Sequence, residues 1–384
     1  MDARLILRST VLSSGLLLAA CGGGGSDSSI AAVSTTAGTT TRASEAATTD
    51  VATTAAATAP PTTLPATIDL STLPGLLAVE ARSCAAEPYV YTEVVENSII
   101  CTLKPDGTEI NVVSQPGEDP FGLALTRDGN HLWYGDLSSS RFGYVIDLTT
   151  GEHRERERYE PYRSGISPDG QLLLFVDPYT HVLSIAHSDG SALPDGSPSL
   201  PVGDDTHVSN WGEPSWAPDS VRFAYISTND GSGGDLDCGE VWVGSTDGTP
   251  SVQITDFAGA ADGPGSCAQS VRWSPTDDTI LMHMIGKPIF IVDNLYVIDA
   301  DGSHLTALTH GVADPASTAN IPAFAGSAYA GDWSPDGRYI MFIVGDGTNF
   351  QLAVMNADGS QVTPITAAPL GLASSLSEIR WALG

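Results

Sequence analysis

The chain has 384 residues, of which 46 are acidic and 16 basic, and its formal net charge is −30 at pH 7. The electrostatic field of a protein with this negative charge repels nucleic-acid phosphates and anionic lipid headgroups, so we expect no nucleic-acid partner. It suits a soluble exported surface, and it also suits a cationic partner or divalent cations.

The first 20 residues have the order of a bacterial export signal. Arg4 and Arg8 precede an apolar run at 11–20, which is too short to span a bilayer, and small residues lead directly to Cys21. This order resembles the lipobox of bacterial lipoproteins. The alternative is an ordinary secretory signal followed by a cysteine by chance.

The lipobox resemblance implies cleavage of residues 1–20 and acylation of the Cys21 sulfur, which would hold the protein on a membrane without spanning it. Gly22 stands where an aspartate retains some lipoproteins in the inner membrane. By that resemblance we expect an exported protein that is anchored in the cell envelope, with the outer membrane favoured.

A low-complexity segment, 21–67, follows the signal. It is rich in Ala, Thr and Gly and ends in "APPTTLPAT". Such a composition buries too little apolar surface to offset the entropy of ordering, so we expect a disordered stalk. The remaining residues, 80–384, are predicted to form one folded domain.

A first phrase recurs through this domain. It combines a large apolar residue, a turn of the Ser-Pro-Asp-Gly kind and a strand, as in LTRDGNHLWY (125–134), ISPDGQLLLF (166–175), WAPDSVRFAY (216–225), WSPTDDTILM (273–282) and WSPDGRYIMF (333–342). Proline presets φ for the first turn position, and glycine tolerates the left-handed conformation that ends the turn. Each copy therefore predicts a β-hairpin.

A second phrase with Asp-Gly or Thr-Gly follows each first one, as in "VIDADGSHLTALT" (297–309) and "VMNADGSQVTPIT" (354–366). Two hairpins give four short strands in each unit. The interval of about 40–60 residues between units is typical of propeller blades.

Five complete units begin near residues 120, 162, 208, 268 and 327. We expect the other three strands of the first blade within 87–115, with the Asp106-Gly107 turn. Its missing strand matches the C-terminal residues 379–382, so the fold class is all-β: a six-bladed β-propeller of four-stranded antiparallel blades, closed by the C-terminal strand completing the first blade. The alternative is a five-bladed ring with a loose tail.

The paired phrases resemble the WD-related propeller repeat of the TolB-like proteins over about 80–384, a repeat that also occurs in the propeller domain of prolyl oligopeptidases. The TolB resemblance implies contact with a protein partner at the cell envelope. The chain departs from TolB proper because a stalk replaces an additional N-terminal α/β domain and because TolB carries no lipobox, which puts a role in the Tol–Pal system in doubt.

The long insertions fall on the face opposite the tight turns. Because binding residues concentrate on long loops held by a rigid scaffold, this face is the predicted partner-binding surface. Its candidate residues are Asp204, Asp205, Trp211, Glu213, Asp256, Asp262 and Asp314. An exposed Trp211 would suit a sugar or a partner's side chain, and the alternative is that Trp211 is buried beneath its loop. For the face as a whole, the alternative is that its loops bind no ligand.

Four cysteines remain beyond Cys21, which in an exported chain predicts two disulfides. Cys238 and Cys267 fall on the long-loop face of neighbouring blades, whereas Cys84 and Cys101 both belong to the first blade. We therefore predict the pairs Cys84–Cys101 and Cys238–Cys267.

No zinc spacing and no Gly-x-Ser-x-Gly elbow is present, and we expect a protein that is not an enzyme. Asp230, Asp235 and Asp237 lie in a Gly-rich loop and offer oxygen ligands for calcium, but turn formation and solubility are the preferred explanation of these acids. The alternative function is a calcium-dependent propeller hydrolase or lyase acting on a lactone or polysaccharide; another is a surface glycan binder.

Arg272 and Arg380 precede tryptophans on innermost strands and are expected to approach the central channel, where a small anion or a peptide end would bind. Pairing with the chain's many aspartates is the alternative. The preferred hypothesis is a monomeric, non-catalytic envelope lipoprotein that binds a protein partner, with no required cofactor.

Overall fold

The computed structural model describes residues 67–84, 98–136, 143–155, 164–176, 182–188, 191–192, 200–201, 213–228, 239–257, 266–286, 293–309, 327–345, 350–368, 370–372 and 378–384. All of them belong to one unit, Thr62–Gly384. The predicted signal peptide, with Cys21, and nearly all of the predicted stalk lie outside these residues.

One short 3-10 helix, Leu70–Thr72, begins after Asp69, whose Oδ1 accepts a hydrogen bond from the Ser71 backbone N at 3.1 Å. Within the described residues, no helix has the length and apolar character needed to cross a bilayer.

The rest of the described backbone forms 24 strands. In chain order they are β1 Leu76–Ala81, β2 Ile99–Leu103, β3 Asn111–Val112, β4 Pro120–Leu125, β5 His131–Asp136, β6 Tyr144–Asp147, β7 His153–Glu155, β8 Ser164–Ile166, β9 Leu172–Val176, β10 Leu183–His187, β11 Leu200–Pro201, β12 Ser215–Trp216, β13 Arg222–Thr228, β14 Gly239–Ser245, β15 Val252–Gln253, β16 Ser266–Trp273, β17 Thr279–Gly286, β18 Asp293–Asp299, β19 Thr306–Ala307, β20 Ser327–Trp333, β21 Tyr339–Gly345, β22 Phe350–Asn356, β23 Thr363–Pro364 and β24 Ile379–Ala382.

These strands pair antiparallel, in runs of four. The runs β4–β7, β8–β11 and β20–β23 are separate four-stranded sheets, and β24-β1-β2-β3 is a fourth. The runs β12–β15 and β16–β19 form one eight-stranded sheet, joined by a single pair between Gly239 and Ala268. Five of these runs start within about seven residues of the positions expected from the repeated phrase.

The C-terminal strand β24 pairs with β1, as expected from the match of 379–382 to an innermost strand; Leu77 lies opposite Trp381. The position of β1 itself differs from the prediction. It spans Leu76–Ala81, ahead of the expected segment 87–115 and of the expected domain start at residue 80. The turn Pro74-Gly75 precedes it in place of Ser-Pro-Asp-Gly, with φ of 89° at Gly75, and this weaker signal explains the error.

The repeated turns are held by their own side chains. Ser334 Oγ donates to Asp336 Oδ1 at 2.7 Å and accepts from the backbone N of Tyr339 at 2.9 Å. Gly337 has φ of 70°, where glycine is favoured because it lacks a Cβ. Ser220 occupies the corresponding position of "APDS" with φ of 59°. The phrase therefore recurs because each of its residues satisfies one requirement of the same turn.

The tryptophans of the repeat pack between neighbouring runs. Trp216 is 6% exposed, and its Nε1 donates to the Gly165 carbonyl of β8 at 2.9 Å. Trp333 is 5% exposed, and its Nε1 donates to the Arg272 carbonyl of β16 at 3.0 Å. Through burial and these bonds, the repeat tryptophans hold neighbouring runs together.

The first strands of the six runs, here called the inner strands, are β4, β8, β12, β16, β20 and β24. Each contacts its neighbours in this order, and β24 also contacts β4. Apolar clusters join the runs in the same order: Val79 of β1 packs in one cluster with Ile343 of β21, and Ala78 in another with Leu132 of β5.

Candidate functional site

A cavity of about 170 Å³ lies among the inner strands, each of which contributes to its lining. Turn residues that follow the inner strands line one part of it, among them Arg127, Pro168, Pro218 and Pro275. We call this part the mouth, because the repeated turns lie at the surface. Strand residues carry the charges deeper in the cavity, which we call the floor.

Glu213 is the centre of the floor. It lies just before β12 and is 5% exposed. Its Oε2 accepts a hydrogen bond from Nη2 of Arg272 at 3.1 Å and another from Nη2 of Arg380. Nη2 of Arg380 also donates to Oε2 of Glu378 at 3.1 Å, and the same oxygen accepts from the backbone N of Leu123 at 2.7 Å. Buried charges in proteins need such partners, and these ion pairs hold three inner strands together.

Arg272 has more hydrogen-bond donors than these acceptors use. Its side chain is 13% exposed, and Nη1 donates to the carbonyl of Val271 at 2.8 Å. Its Nε is buried and has no hydrogen-bond partner among the described residues. Burial, followed by repulsion from Arg380, lowers the pKa of Arg272. The carboxylates of Glu213, Asp332 and Glu378 attract this guanidinium, but its hydrogen-bond donors are only partly used.

Asp332 of β20 is the second floor carboxylate. Its oxygens accept hydrogen bonds from the backbone N of Trp333 at 2.9 Å and of Trp381 at 2.8 Å. Burial raises the pKa of Asp332, against the opposing attraction of Arg272 and Arg380. Because both oxygens bind main-chain N–H groups, this carboxylate ties β20 to β24.

Arg127 carries the charge at the mouth. It occupies the position at which the other first phrases have proline, as in Pro168 and Pro275. The side chain is exposed at the surface, and its Nη2 donates to the carbonyl of Pro275 at 3.4 Å. Since Arg127 follows β4 and Pro275 follows β16, this long hydrogen bond crosses the mouth.

The predicted channel residues Arg272 and Arg380 both line the cavity, and they pair with glutamates rather than with the many aspartates. Glu213 was expected on the long-loop face, but it is buried in this cluster instead. Its position just before an inner strand explains the difference, because such a residue faces the channel.

Asp256 is exposed in the segment after β15, on the side of the links between runs. The other predicted binding residues, Asp204, Asp205, Trp211, Asp262 and Asp314, lie outside the described residues. So do Asp230, Asp235 and Asp237, and the calcium prediction remains untested. Among the described residues, no three His, Cys, Asp or Glu side chains are grouped to hold a metal ion.

The disulfide Cys84–Cys101 is confirmed, with a Cα–Cα distance of 5.9 Å. Cys84 follows β1 and Cys101 lies in β2, so both belong to the first sheet, as expected. Cys267 is also disulfide-bonded, and Cys238, its predicted partner, lies outside the described residues.

The sequence analysis did not identify Arg127, Asp332 or Glu378. For Arg127 a signal was present, since it is the one substitution of the turn proline among the aligned first phrases. Asp332 directly precedes a repeat tryptophan, as Arg272 and Arg380 do, so the same alignment indicates all three.

No protein-family model matches the chain, and no curated protein matches it. Among solved structures, it is similar to TolB from Acinetobacter baumannii, with a TM-score of 0.54 and 18% identity over 81% of this chain and 66% of that one. A putative TolB from Agrobacterium tumefaciens gives 0.51 and 14%, over 81% and 99%. A chain of the nidogen/laminin complex gives 0.51 and 13%, over 81% and 100%. At these identities the similarities show the fold alone: the described unit is all-β and has the fold of TolB-like and nidogen β-propellers.

Proposed function

We propose that the chain is a non-catalytic cell-envelope lipoprotein whose six-bladed propeller binds a protein partner, with the lipid anchor on Cys21 holding it at the membrane. The observation that carries the proposal is the fold, which the chain shares with TolB proteins and with a chain of a nidogen/laminin complex. A propeller is a rigid scaffold that presents loops, and loops on rigid scaffolds are common binding surfaces.

A closed ring of six blades is part of the proposal. It is supported by the cyclic order in which the inner strands contact one another and by the apolar clusters on both sides of the first run. The buried ion pairs among Glu213, Arg272 and Arg380 add to this support, because they join inner strands that are distant in sequence. Closure of this kind leaves few open strand edges.

The test is photo-crosslinking of the full chain in bacterial cells. A photoreactive amino acid is placed at Trp211, Asp256 or Asp262 on the long-loop face, and at Asp247 or Asp358 in the turns of the opposite face. We expect one discrete envelope-protein adduct from the long-loop positions. Adducts from the opposite face instead would relocate the partner surface, and no discrete adduct from either face would reject partner binding.

The anchor has its own test. Metabolic labelling with a fatty acid should label the chain, and Cys21→Ser should abolish the label and release the protein from the membrane fraction. A labelled Cys21→Ser variant, or an unlabelled parent chain, would show that residues 1–20 are an ordinary signal.

A further inference from the structure

We propose that the cavity among the inner strands is a binding site for a carboxylate group with a short apolar body, held by the guanidinium groups of Arg127 and Arg272. The inference concerns the cavity alone and does not depend on the partner-binding surface, so failure of the crosslinking experiment would leave it standing.

The charge of the lining favours an anion. Three arginines line the cavity, Arg127, Arg272 and Arg380, against two carboxylates, Glu213 and Asp332. Arg380 is paired with Glu213 and with Glu378, which stands beside the lining, so the positive charge available to a ligand is that of Arg127 and Arg272. One oxygen of Glu213 serves two guanidiniums, and the oxygens of Asp332 are used by main-chain N–H groups.

The unused donors specify the acceptor. Nε of Arg272 is buried without a partner among the described residues and has almost no accessible surface. A ligand would therefore reach Arg272 through the Nη hydrogens that Val271 and Glu213 leave unused. The contact from Arg127 to Pro275 is long and uses one of five donors. Guanidinium groups bind carboxylates through short charge-assisted hydrogen bonds, and the planar fork of each group matches the two carboxylate oxygens.

The size and the walls limit the rest of the ligand. A cavity of about 150 Å³ accommodates benzene, so about 170 Å³ suits a body of a few carbon atoms. The lining also includes Trp216, Trp273 and Trp381 together with turn prolines, which are residues with largely apolar side chains. Butyrate has this size and this division of charge. The C-terminal residue of a peptide, such as leucine, has the same chemistry.

The test uses the full chain at constant ionic strength and neutral pH. Binding of butyrate, 1-butanol and butylamine is measured by calorimetry and by the fluorescence of the cavity tryptophans. We expect butyrate to bind with a Kd on the order of 1 mM, and the neutral and cationic analogues to bind at least about tenfold more weakly. Equal binding of butyrate and butanol, or no binding of butyrate at ~20 mM, would overturn the proposal.

The variant that isolates the mouth is Arg127→Gln, which keeps the length of the side chain but removes its charge. The matched control is Arg338→Gln, which removes a positive charge from the corresponding turn after β20 and does not line the cavity. We expect Arg127→Gln to weaken butyrate binding at least about fivefold and Arg338→Gln to leave it unchanged. An equal effect of both variants would mean that only the overall charge matters and would refute the site.

The source of the carboxylate is distinguished with peptides. A tetrapeptide ending in leucine is compared with its C-terminal amide. Tighter binding of the free acid than of butyrate, lost on amidation, would assign the site to a peptide end. Binding of butyrate without binding of either peptide would assign it to a small free acid.

Discussion

Glu80 of β1 is a carboxyl group that the fold keeps away from water. It is 5% exposed, and burial, followed by repulsion from Glu378, raises its pKa well above the ordinary value. Ser98 gives partial compensation by a side-chain hydrogen bond. Because the folded pKa lies above the unfolded one, the group favours folding at acidic pH, and this contribution is lost as the pH rises through the folded pKa.

Glu80→Gln should therefore stabilise the protein near neutral pH. The amide keeps a polar group for Ser98 but has no charge to bury. We expect the Tm to rise by at least about 2 °C at pH 7–8, and the difference from the parent chain to shrink toward pH 4, where Glu80 is protonated in both states. Melting curves across this pH range measure the effect.

Glu152→Gln is the control, because Glu152 is an exposed turn residue. It should leave the Tm nearly unchanged over the same range. A Glu80→Gln variant whose Tm falls below that of the parent at pH 7–8 but not near pH 4 would show that the ionised carboxylate is the stabilising form.

At the scale of strands and turns, the turn after β4 supports the end of the chain. Gly129 has φ of 75°, and a Cβ built on it would lie 2.0 Å from the carbonyl oxygen of Leu383. Leu383 N donates to the Arg127 carbonyl at 2.9 Å in the same place. Gly170 holds the equivalent position after β8 with φ of 74°, and a Cβ there would meet no atom of the described residues within 4 Å.

This pair of glycines separates backbone strain from contact. Gly170→Ala should lower the free energy of unfolding by only about 1 kcal/mol, because alanine must adopt the left-handed conformation. Gly129→Ala should lower the free energy of unfolding by at least about 2 kcal/mol more than Gly170→Ala. The added Cβ clashes with backbone atoms of Leu383, which cannot move aside as the end of a flexible side chain can. Denaturant melts of both variants give the difference. Equal losses would mean that the C-terminal residues are not held against this turn.

The strands were largely predictable because their turns use a few residues with narrow conformational roles, such as Ser334, Asp336 and Gly337. The residues of the candidate site were less predictable from the sequence. Glu378 approaches Glu80 only through the β24–β1 pairing, and Glu213 meets Arg380 across 167 positions of sequence. Local sequence patterns carry no information on such long-range contacts. They depend on which inner strands contact one another in the fold, and an alignment of inner-strand positions predicts those contacts only in part.

For the whole molecule, the excess of negative charge opposes the compact state. A net charge of −30 makes the folded chain repel itself, and salt screens this repulsion over about 8–10 Å at 0.1–0.15 M ionic strength. Raising NaCl from 10 to 200 mM should therefore increase the Tm by several degrees, as measured by calorimetry. An unchanged or falling Tm would mean that the carboxylates are already compensated by local partners.

Calcium chloride at matched ionic strength is the control. If screening alone operates, calcium and sodium should give the same Tm. A larger shift with calcium, removed by chelator and by Asp→Asn substitutions at 230, 235 and 237, would instead assign a specific calcium site to that loop.

The pairing of β24 with β1 also fixes the order in which the protein can be completed. Leu76 lies opposite Ala382, so the partner of β1 comes from the far end of the domain in sequence. Until residues 379–382 have been synthesised, the first sheet lacks one strand and its β1 edge stays open to wrong pairing. A chain that cannot complete its first sheet early is exposed to aggregation for longer during synthesis.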